Sequence, residues 1–352
     1  DIYVVSRDHL YVLAKLLGDK WPWHTVLVDE STMFKNHDST RSKTMDYLRR
    51  HKLVKKLVLM TGTPSPKGIE NLWAQVRLLD GGKRLGKTLT SFRKRFMVPG
   101  DRNKKRIFNW RAKPGAREEV TRLISDICLS VRADVWRTTE EPRTVQRIVS
   151  IPMDQYEEME RELALEIGDG VITAQHAAVL QTKLLQMASG AVLDSEKKWH
   201  VVHDAKLDAL EELVDELDGE PLLVVYWFQS SLARLQERFG KRLKTTKVKG
   251  FIDHFAEGNI ELLAIQPAGA AHGLDGLQKG GHHVAVFDMF YDYELYQQVV
   301  SRLDRSGQQH RVTVHQLVAG GTKDMEVAPV LADRGADQGA VMDALRFKPR
   351  KK

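Results

Sequence analysis

Residues 284–317 read VAVFDMFYDYELYQQVVSRLDRSGQQHRVTVHQL. The apolar run 284–287 and the run 311–317 have the length and composition of buried strands. Between them, residues 293–303 carry apolar positions at helical spacing. The same alternation recurs upstream, with strands expected at 24–28, 56–60, 222–227 and 262–265 and amphipathic helices at 207–217 and 231–238. Strands apolar on both faces and separated by helices belong to a parallel, doubly wound sheet, so the fold class is α/β. Within the quoted stretch, Gln298, Arg302 and Arg305 fall at offsets 0, 4 and 7, which share one face of a helix. Ser306-Gly307 supplies the small residue that a left-handed helix end favours.

The middle of the chain differs. Residues 69–132 and 155–189 show helical spacing with no strand pattern, and Glu140-Glu141-Pro142-Arg143 has the composition of a hinge. The expected organisation is a first α/β lobe over 1–68, a largely helical region over 69–200 and a second α/β lobe over 201–352. The chain begins at Asp1 and runs directly into a strand-like segment, which points to a fragment whose upstream part is missing.

At 352 residues, with 42% hydrophobic and 29% charged content, the sequence is that of a globular protein with two full cores. Its longest strongly apolar run, 222–228, is too short to span a bilayer, and no signal peptide is visible. A single cysteine, Cys128, excludes an internal disulfide, fits a reducing compartment and lies in an apolar-periodic stretch. The net charge is +7, but residues 83–117 hold thirteen Lys and Arg against one acid, Asp101. Lys83, Arg84, Lys87, Arg93, Lys94, Arg95, Lys104, Lys105 and Arg106 lie in this stripe, interleaved with Phe92, Phe96, Phe108 and Trp110. Such a stripe is the footprint of a polyanion, here a nucleic-acid backbone gripped without sequence reading.

Ligands of open α/β sheets bind beyond the carboxyl ends of the strands. After the strand at 24–28 comes Asp29-Glu30-Ser31-Thr32, where an aspartate can hold magnesium, often through water, and a glutamate can orient or deprotonate a water. After 56–60 comes Thr61-Gly62-Thr63-Pro64, a hydroxyl-bearing loop able to sense a phosphate. After 262–265 comes a glycine-rich loop through Gly273, Leu274, Asp275 and Gly276, and after 284–287 comes Asp288. The planar, permanently charged forks of Arg302 and Arg305 suit a polyphosphate, and an arginine offsets charge on a transferred phosphoryl group.

These segments, in this order, resemble the Swi/Snf-like branch of superfamily-two helicases, in particular its small bacteriophage members. Asp29-Glu30-Ser31-Thr32 is similar to the family's Walker B motif and Thr61-Gly62-Thr63-Pro64-Ser65-Pro66 to its third motif. Residues 223–228 resemble the fourth, and Gly273-Leu274 with Gln278 the fifth. Gln298, Arg302, Arg305, Gly307 and Gln308 match the sixth, QxxxRxxRxGQ. Leu184-Leu185-Gln186-Met187-Ala188-Ser189-Gly190 is similar to the helical lead-in to the second lobe. The resemblance implies two RecA-like lobes, the first incomplete at its amino terminus, that translocate on duplex DNA with ATP and Mg2+ between them. It implies that Asp29 holds magnesium, Glu30 positions water, and Arg302 and Arg305 clamp the γ-phosphate from the opposite lobe. Gln298, Gly273, Asp275, Thr61, Gly62 and Thr63 would contact nucleotide. A bacteriophage origin implies a DNA-associated protein of the host cytoplasm. Strand separation, and DNA binding without hydrolysis by the chain as it stands, remain open beside translocation.

Three departures matter. The phosphate-cradling P-loop is not found ahead of Asp29. Gly81, Gly86, Lys87 and Thr88 fit GxxxxGK[ST] formally, but a working P-loop follows a buried strand, and this one follows a helical pattern. Lys67 stands where the family often has asparagine. The fifth motif carries one added residue, with Asp275 in place of an amide, and a carboxylate beside a polyanion is unfavourable unless it points away or pairs. Among other residues, His203-Asp204-Lys206 reads as the start of a helix capped by Asp204. His282-His283 lacks a cysteine partner and zinc spacing and reads as a loop before a strand. Trp21 and Trp23 read as core, with base stacking the lesser alternative.

Overall fold

The structure is a computed structural model that describes residues 1–66, 68–100, 110–131, 137–167, 170–173, 177–270 and 274–345. It has two compact units, Asp1–Arg132 with Arg334–Lys352, and Ala133–Asp333. No described helix is long and apolar enough to cross a membrane.

In the first unit, β1 (Thr25–Val28) pairs in parallel with β2 (Lys56–Leu59). Leu27 and Val58 are register partners on one face and are 62% and 45% exposed. Parallel strands are ordinarily covered on both faces, so an open apolar face here is unusual. The main core of this unit is helical. Trp73 and Leu72 of helix Glu70–Asp80, Phe92 and Phe96 of helix Leu89–Phe96, and Val120 and Ile124 of helix Ala116–Ile124 pack together with Val341 and Leu345. The last two belong to the chain's end: helix Asp324–Ala344 begins in the second unit and finishes in the first. Arg117 pairs with Asp337 at 2.5 Å, and Gln338 donates to the Gly62 carbonyl at 3.0 Å.

The short strands β3 (Met97–Pro99) and β4 (Trp110–Ala112) form an antiparallel pair in a region expected to be wholly helical. Three-residue strands are too short to register as a period-two pattern.

The second unit is built on β5 (Arg143–Val149), β10 (Leu222–Val225), β11 (Leu243–Thr245), β12 (Leu262–Ile265), β13 (His283–Val286) and β14 (Thr313–Ala319). All neighbours are parallel, in the order β11-β12-β10-β13-β14-β5. Side-chain alternation splits the core in two. Leu223, Val225, Leu263, Ile265, Val284 and Val286 pack with Tyr293, Tyr296 and Val299 of helix Tyr293–Val300. Leu222, Val224, Leu262, Ala264 and Ala285 pack on the other face with Leu207, Leu210 and Leu213 of helix Ala205–Glu216 and Leu235 of helix Gln229–Phe239. Both faces are therefore covered, as the doubly wound reading requires.

Two antiparallel pairs complete this unit, β6 (Ala164–Ile167) with β7 (Gly170–Thr173) and β8 (Ala191–Leu193) with β9 (Trp199–Val201). The first corrects the strand-free expectation for 155–189. The edge strand β5 was also not anticipated, because its Arg143, Gln146 and Arg147 make the segment look like linker. Arg147 instead lies over the sheet edge and pairs with Glu216.

Candidate nucleotide and nucleic-acid sites

The carboxyl ends of β1 and β2 are tied together by backbone. Met60 N donates to the Val28 carbonyl and Ser31 N to the Met60 carbonyl, both at 2.9 Å. This brings Asp29-Glu30 beside Thr61-Gly62-Thr63. Asp29 is exposed and one of its oxygens accepts from Glu30 N at 3.0 Å. Glu30 sits at φ +53°, a left-handed conformation unfavourable for a side chain of its size. Strain of this kind concentrates at functional positions. Behind the pair, the Ser31 hydroxyl donates to Gln75 Oε1 at 2.8 Å, and Gln75 Nε2 donates to the Pro64 carbonyl at 2.9 Å. Gln75 thus locks the two loops from a buried position. Sequence reading missed it, since a lone glutamine in an apolar helix gives no motif. The Thr63 and Ser65 hydroxyls are buried without a hydrogen-bond partner among the described residues. The open oxygens of Asp29 are hard donors, the type magnesium prefers.

In the second unit the expected arginine helix ends early. It stops at Val300, and residues 301–307 form consecutive turns, with Asp304 N bonding the Val300 carbonyl and Gln308 N the Arg305 carbonyl. Arg302 and Arg305 therefore lie in a turn, not on a helical face. Gly307, at φ +93°, closes the turn rather than capping the helix. Three contacts fix this turn. Arg137 makes a two-pronged bond to Asp304 at 3.0 and 2.5 Å, with both side chains largely buried. The buried Gln308 donates to the Gly281 and Leu303 carbonyls and accepts from Gln309 N and His310 N. Thr138 donates to the Gln308 carbonyl at 3.0 Å. Gln298 Oε1 is buried with no partner among the described residues.

The altered fifth motif turns toward the arginines. Asp275 lies 3.4 Å from Arg305 Nε, and Gln278 Nε2 donates to the Ser306 carbonyl at 3.3 Å. The carboxylate that replaces an amide is therefore paired. The added residue, Gly276, sits at φ +117° with the Ile252 methyl where a Cβ would point, so only glycine fits without strain. Gly273 lies outside the described residues. Asp288 is wholly buried; it accepts from Trp227 N (2.6 Å), Phe228 N (3.0 Å) and the Ser231 hydroxyl (2.8 Å), and so holds the ends of β10 and β13 together.

The formal P-loop match is ruled out by its surroundings. It follows helix Glu70–Asp80, and the Asp80 carboxylate accepts from the backbone N–H groups of Gly82, Lys83 and Arg84 at 2.7, 3.2 and 3.0 Å. The anion seat of this loop is filled by the protein's own carboxylate. Thr88 caps the next helix by accepting from Ser91 N.

The basic stripe divides. Arg93 is held by Glu70 and lies over the Trp110 ring, Arg95 pairs with Glu119, and Arg84 with Asp80 and Asp126. Lys83, Lys87 and Lys94 are exposed, with no ion pair among the described residues. Lys83, Arg84 and Lys87 border an open basin of about 940 Å³ that is also lined by Arg49, Arg50, Lys52 and Lys55. These last four come from a segment that sequence reading did not mark as nucleic-acid-facing. Lys104, Lys105 and Arg106 lie outside the described residues.

The helix start at Asp204 is as read, but its carboxylate pairs with Arg234 at 2.8 Å and caps nothing. Trp21 is core, and its Nε1 donates to the Trp23 carbonyl at 2.8 Å. Cys128 is half-buried against the first unit's helical core, and burial pushes its thiol up to about 11.

The family profile described as SNF2-related domain matches residues 3–192. The chain belongs to the SNF2-related family. It is thus a domain of the SNF2 ATPase/helicase class. Protein p41 of Acyrthosiphon pisum secondary endosymbiont phage 1 is 34% identical to it, over 99% of this chain and 78% of that protein. The Bos taurus DNA annealing helicase and endonuclease ZRANB3 is 24% identical over 92% of this chain, which spans 30% of that protein's length. A Xenopus tropicalis SWI/SNF-related matrix-associated actin-dependent regulator of chromatin subfamily A-like protein 1 is 23% identical over 95% of this chain and 35% of its own length. Among solved structures, the Sulfolobus solfataricus SWI2/SNF2 ATPase core in complex with dsDNA aligns over 96% of this SNF2-related chain and 72% of that chain, with TM-score 0.40 and 18% identity.

Proposed function

We propose that this SNF2-related chain is part of an ATP-driven translocase on duplex DNA, in which Asp29 and Glu30 act on one side of the nucleotide chemistry and Arg302 and Arg305 on the other. The observation that carries the reading is the arginine turn. Arg137 and Gln308 fix the turn that carries Arg302 and Arg305, Asp275 pairs with Arg305, and the Gln298 oxygen just upstream is buried without a partner among the described residues. Preorganised cations of this kind stabilise charge that develops in phosphoryl transfer. Asp29 would hold magnesium through its water shell; bound there, the ion would neutralise phosphate oxygens. Glu30 would orient the attacking water, and the Thr61 and Thr63 hydroxyls and the Gly62 backbone would contact phosphate. Gly273 and Asp275 would contact nucleotide, with Arg305 exchanging Asp275 for the incoming phosphate.

The exposed cations Lys83, Lys87 and Lys94, with Arg84, Arg93 and Arg95 and with Lys104, Lys105 and Arg106, would follow the DNA backbone. The protein would act in the cytoplasm, on DNA. The open apolar face of Leu27 and Val58 supports a further step: polypeptide bearing the P-loop covers that face, and the chain by itself binds DNA without appreciable hydrolysis. The filled anion seat at Asp80 supports the same division. The test is ATP turnover and triplex displacement by the protein from its complete reading frame. Turnover stimulated by duplex DNA together with triplex displacement is expected; unwinding of a forked duplex without triplex displacement would favour strand separation instead.

A further inference from the structure

We propose that Glu220, His282 and His283 form a binding site for a divalent transition-metal ion of the zinc, cobalt or nickel class, packed against the arginine turn of the second unit. Glu220 Oε2 lies 3.4 Å from His282 Nε2 and 3.2 Å from His283 Nε2. One ligand atom from each of the three residues lies within 4.8 Å of the other two. Ligands about 2.1 Å from a tetrahedral ion stand about 3.4 Å from one another, so two of the three edges already have the required length. The third edge, between the two imidazoles, is no longer than 4.8 Å.

The surroundings are those of a ligating pair. His283 Nδ1 is 3.0 Å from His315 Nε2, which leaves Nε2 of His283 aimed at Glu220. The hydrogen bond to His315 fixes the orientation of the His283 ring, as an outer partner on the far nitrogen does for a metal-bound histidine. Both rings are largely withdrawn from water, His282 being 24% and His283 14% exposed. Glu220 is half exposed, which leaves an open coordination position toward solvent. Two imidazoles and one carboxylate suit a borderline-soft ion rather than magnesium or calcium.

The link to the turn is direct. The His310 ring stacks on His282 with centroids 4.8 Å apart, and His310 N donates to the side-chain oxygen of Gln308. Gln308 Nε2 in turn bonds the carbonyl of Gly281, next to His282. A bound ion would pin the start of β13 to the segment just before β10, and the residues just after Arg305 touch that start through His310 and Gln308. Sequence alone could not show this, because Glu220 lies 62 positions before His282 and joins it only through the parallel pairing of β10 with β13.

The experiment is titration of Co2+ into chelator-treated, tag-free protein, read by its visible absorption, with competition by Zn2+. One equivalent of Co2+ is expected to bind and to be displaced by Zn2+. Glu220→Gln, which changes an exposed side chain, and His282→Ala should each weaken binding at least tenfold, while His254→Ala should leave it unchanged. Zinc should raise the thermal midpoint of the wild type and not that of Glu220→Gln. Absence of saturable binding, or binding indifferent to both Glu220→Gln and His282→Ala, would overturn the assignment.

Discussion

At the scale of single residues, the second unit separates ionic contacts that build the site from those that decorate it. The Arg137–Asp304 pair is two-pronged and mostly withdrawn from water. Removing one partner of such a pair strands the other charge. Asp304→Ala is therefore expected to destabilise the unit by about 3–5 kcal/mol. The Asp275–Arg305 contact is single and exposed, so Asp275→Asn should change stability by less than about 1 kcal/mol. Urea denaturation of the two variants checks the contrast. Comparable losses would mean that the two contacts have been ranked wrongly.

His203 gives a pH dependence with a definite sign. It is buried, and burial together with the Arg234 guanidinium lowers its pKa to about 4. Between the ordinary value of about 6.5 and this one, the unfolded chain takes up a proton that the folded chain refuses. The stability contributed by neutral His203 is thus complete above pH 6.5 and falls as the pH drops toward 4. His203→Gln should flatten that slope in denaturation midpoints measured from pH 7 to 4.5; an unchanged slope would place the dependence elsewhere.

At the scale of elements, the long apolar strands of the second unit were legible because burial on both faces leaves a continuous run that nothing else in the chain imitates. The shorter pairs were not. In β6 and β7 the register partners Leu165 and Ile172 flank the sequence Gly168-Asp169-Gly170, a turn composition set in a stretch of otherwise helical spacing. The arginine helix was read one turn too long, because offsets of 4 and 7 also describe two arginines on successive turns, and what ends the helix at Val300 is tertiary: the Arg137 and Gln308 contacts.

The junction after helix Ala177–Ala188 shows what one backbone position can require. Gly190 has φ +96°, and a Cβ there would meet the His203 carbonyl and the Arg234 guanidinium. That guanidinium bonds the Ser189 and His203 carbonyls at 2.8 and 2.5 Å, so it has no freedom to withdraw. Gly190→Ala is expected to cost more than about 2 kcal/mol, well beyond an ordinary glycine replacement. A thermal midpoint within one degree of wild type would show that the junction can relax.

At the scale of the whole molecule, the order of motifs along the chain was the most legible property. The family profile over residues 3–192 and the 34% identical phage protein bear out the family that this order suggested. What sequence could not supply is how the loops are held. Gln75, Arg137 and Glu220 bear on the sites through partners 44, 167 and 62 positions away. Such pairings follow from strand order, which no local pattern states. The basic stripe illustrates the same gap, since three of its arginines are neutralised by carboxylates from other elements while Arg49, Arg50, Lys52 and Lys55 join Lys83 and Lys87 around one basin.

In the proposed reaction Arg302 and Arg305 complete the chemistry begun by Asp29 and Glu30. The most direct test is duplex-DNA-stimulated ATP turnover of the protein from its complete reading frame, wild type against Arg305→Ala, with DNA affinity measured in parallel. A loss of about 10³-fold or more in turnover is expected, in line with other transition-state arginines, while DNA affinity stays within about threefold. Turnover retained within tenfold in Arg305→Ala, at unchanged DNA affinity, would contradict that role.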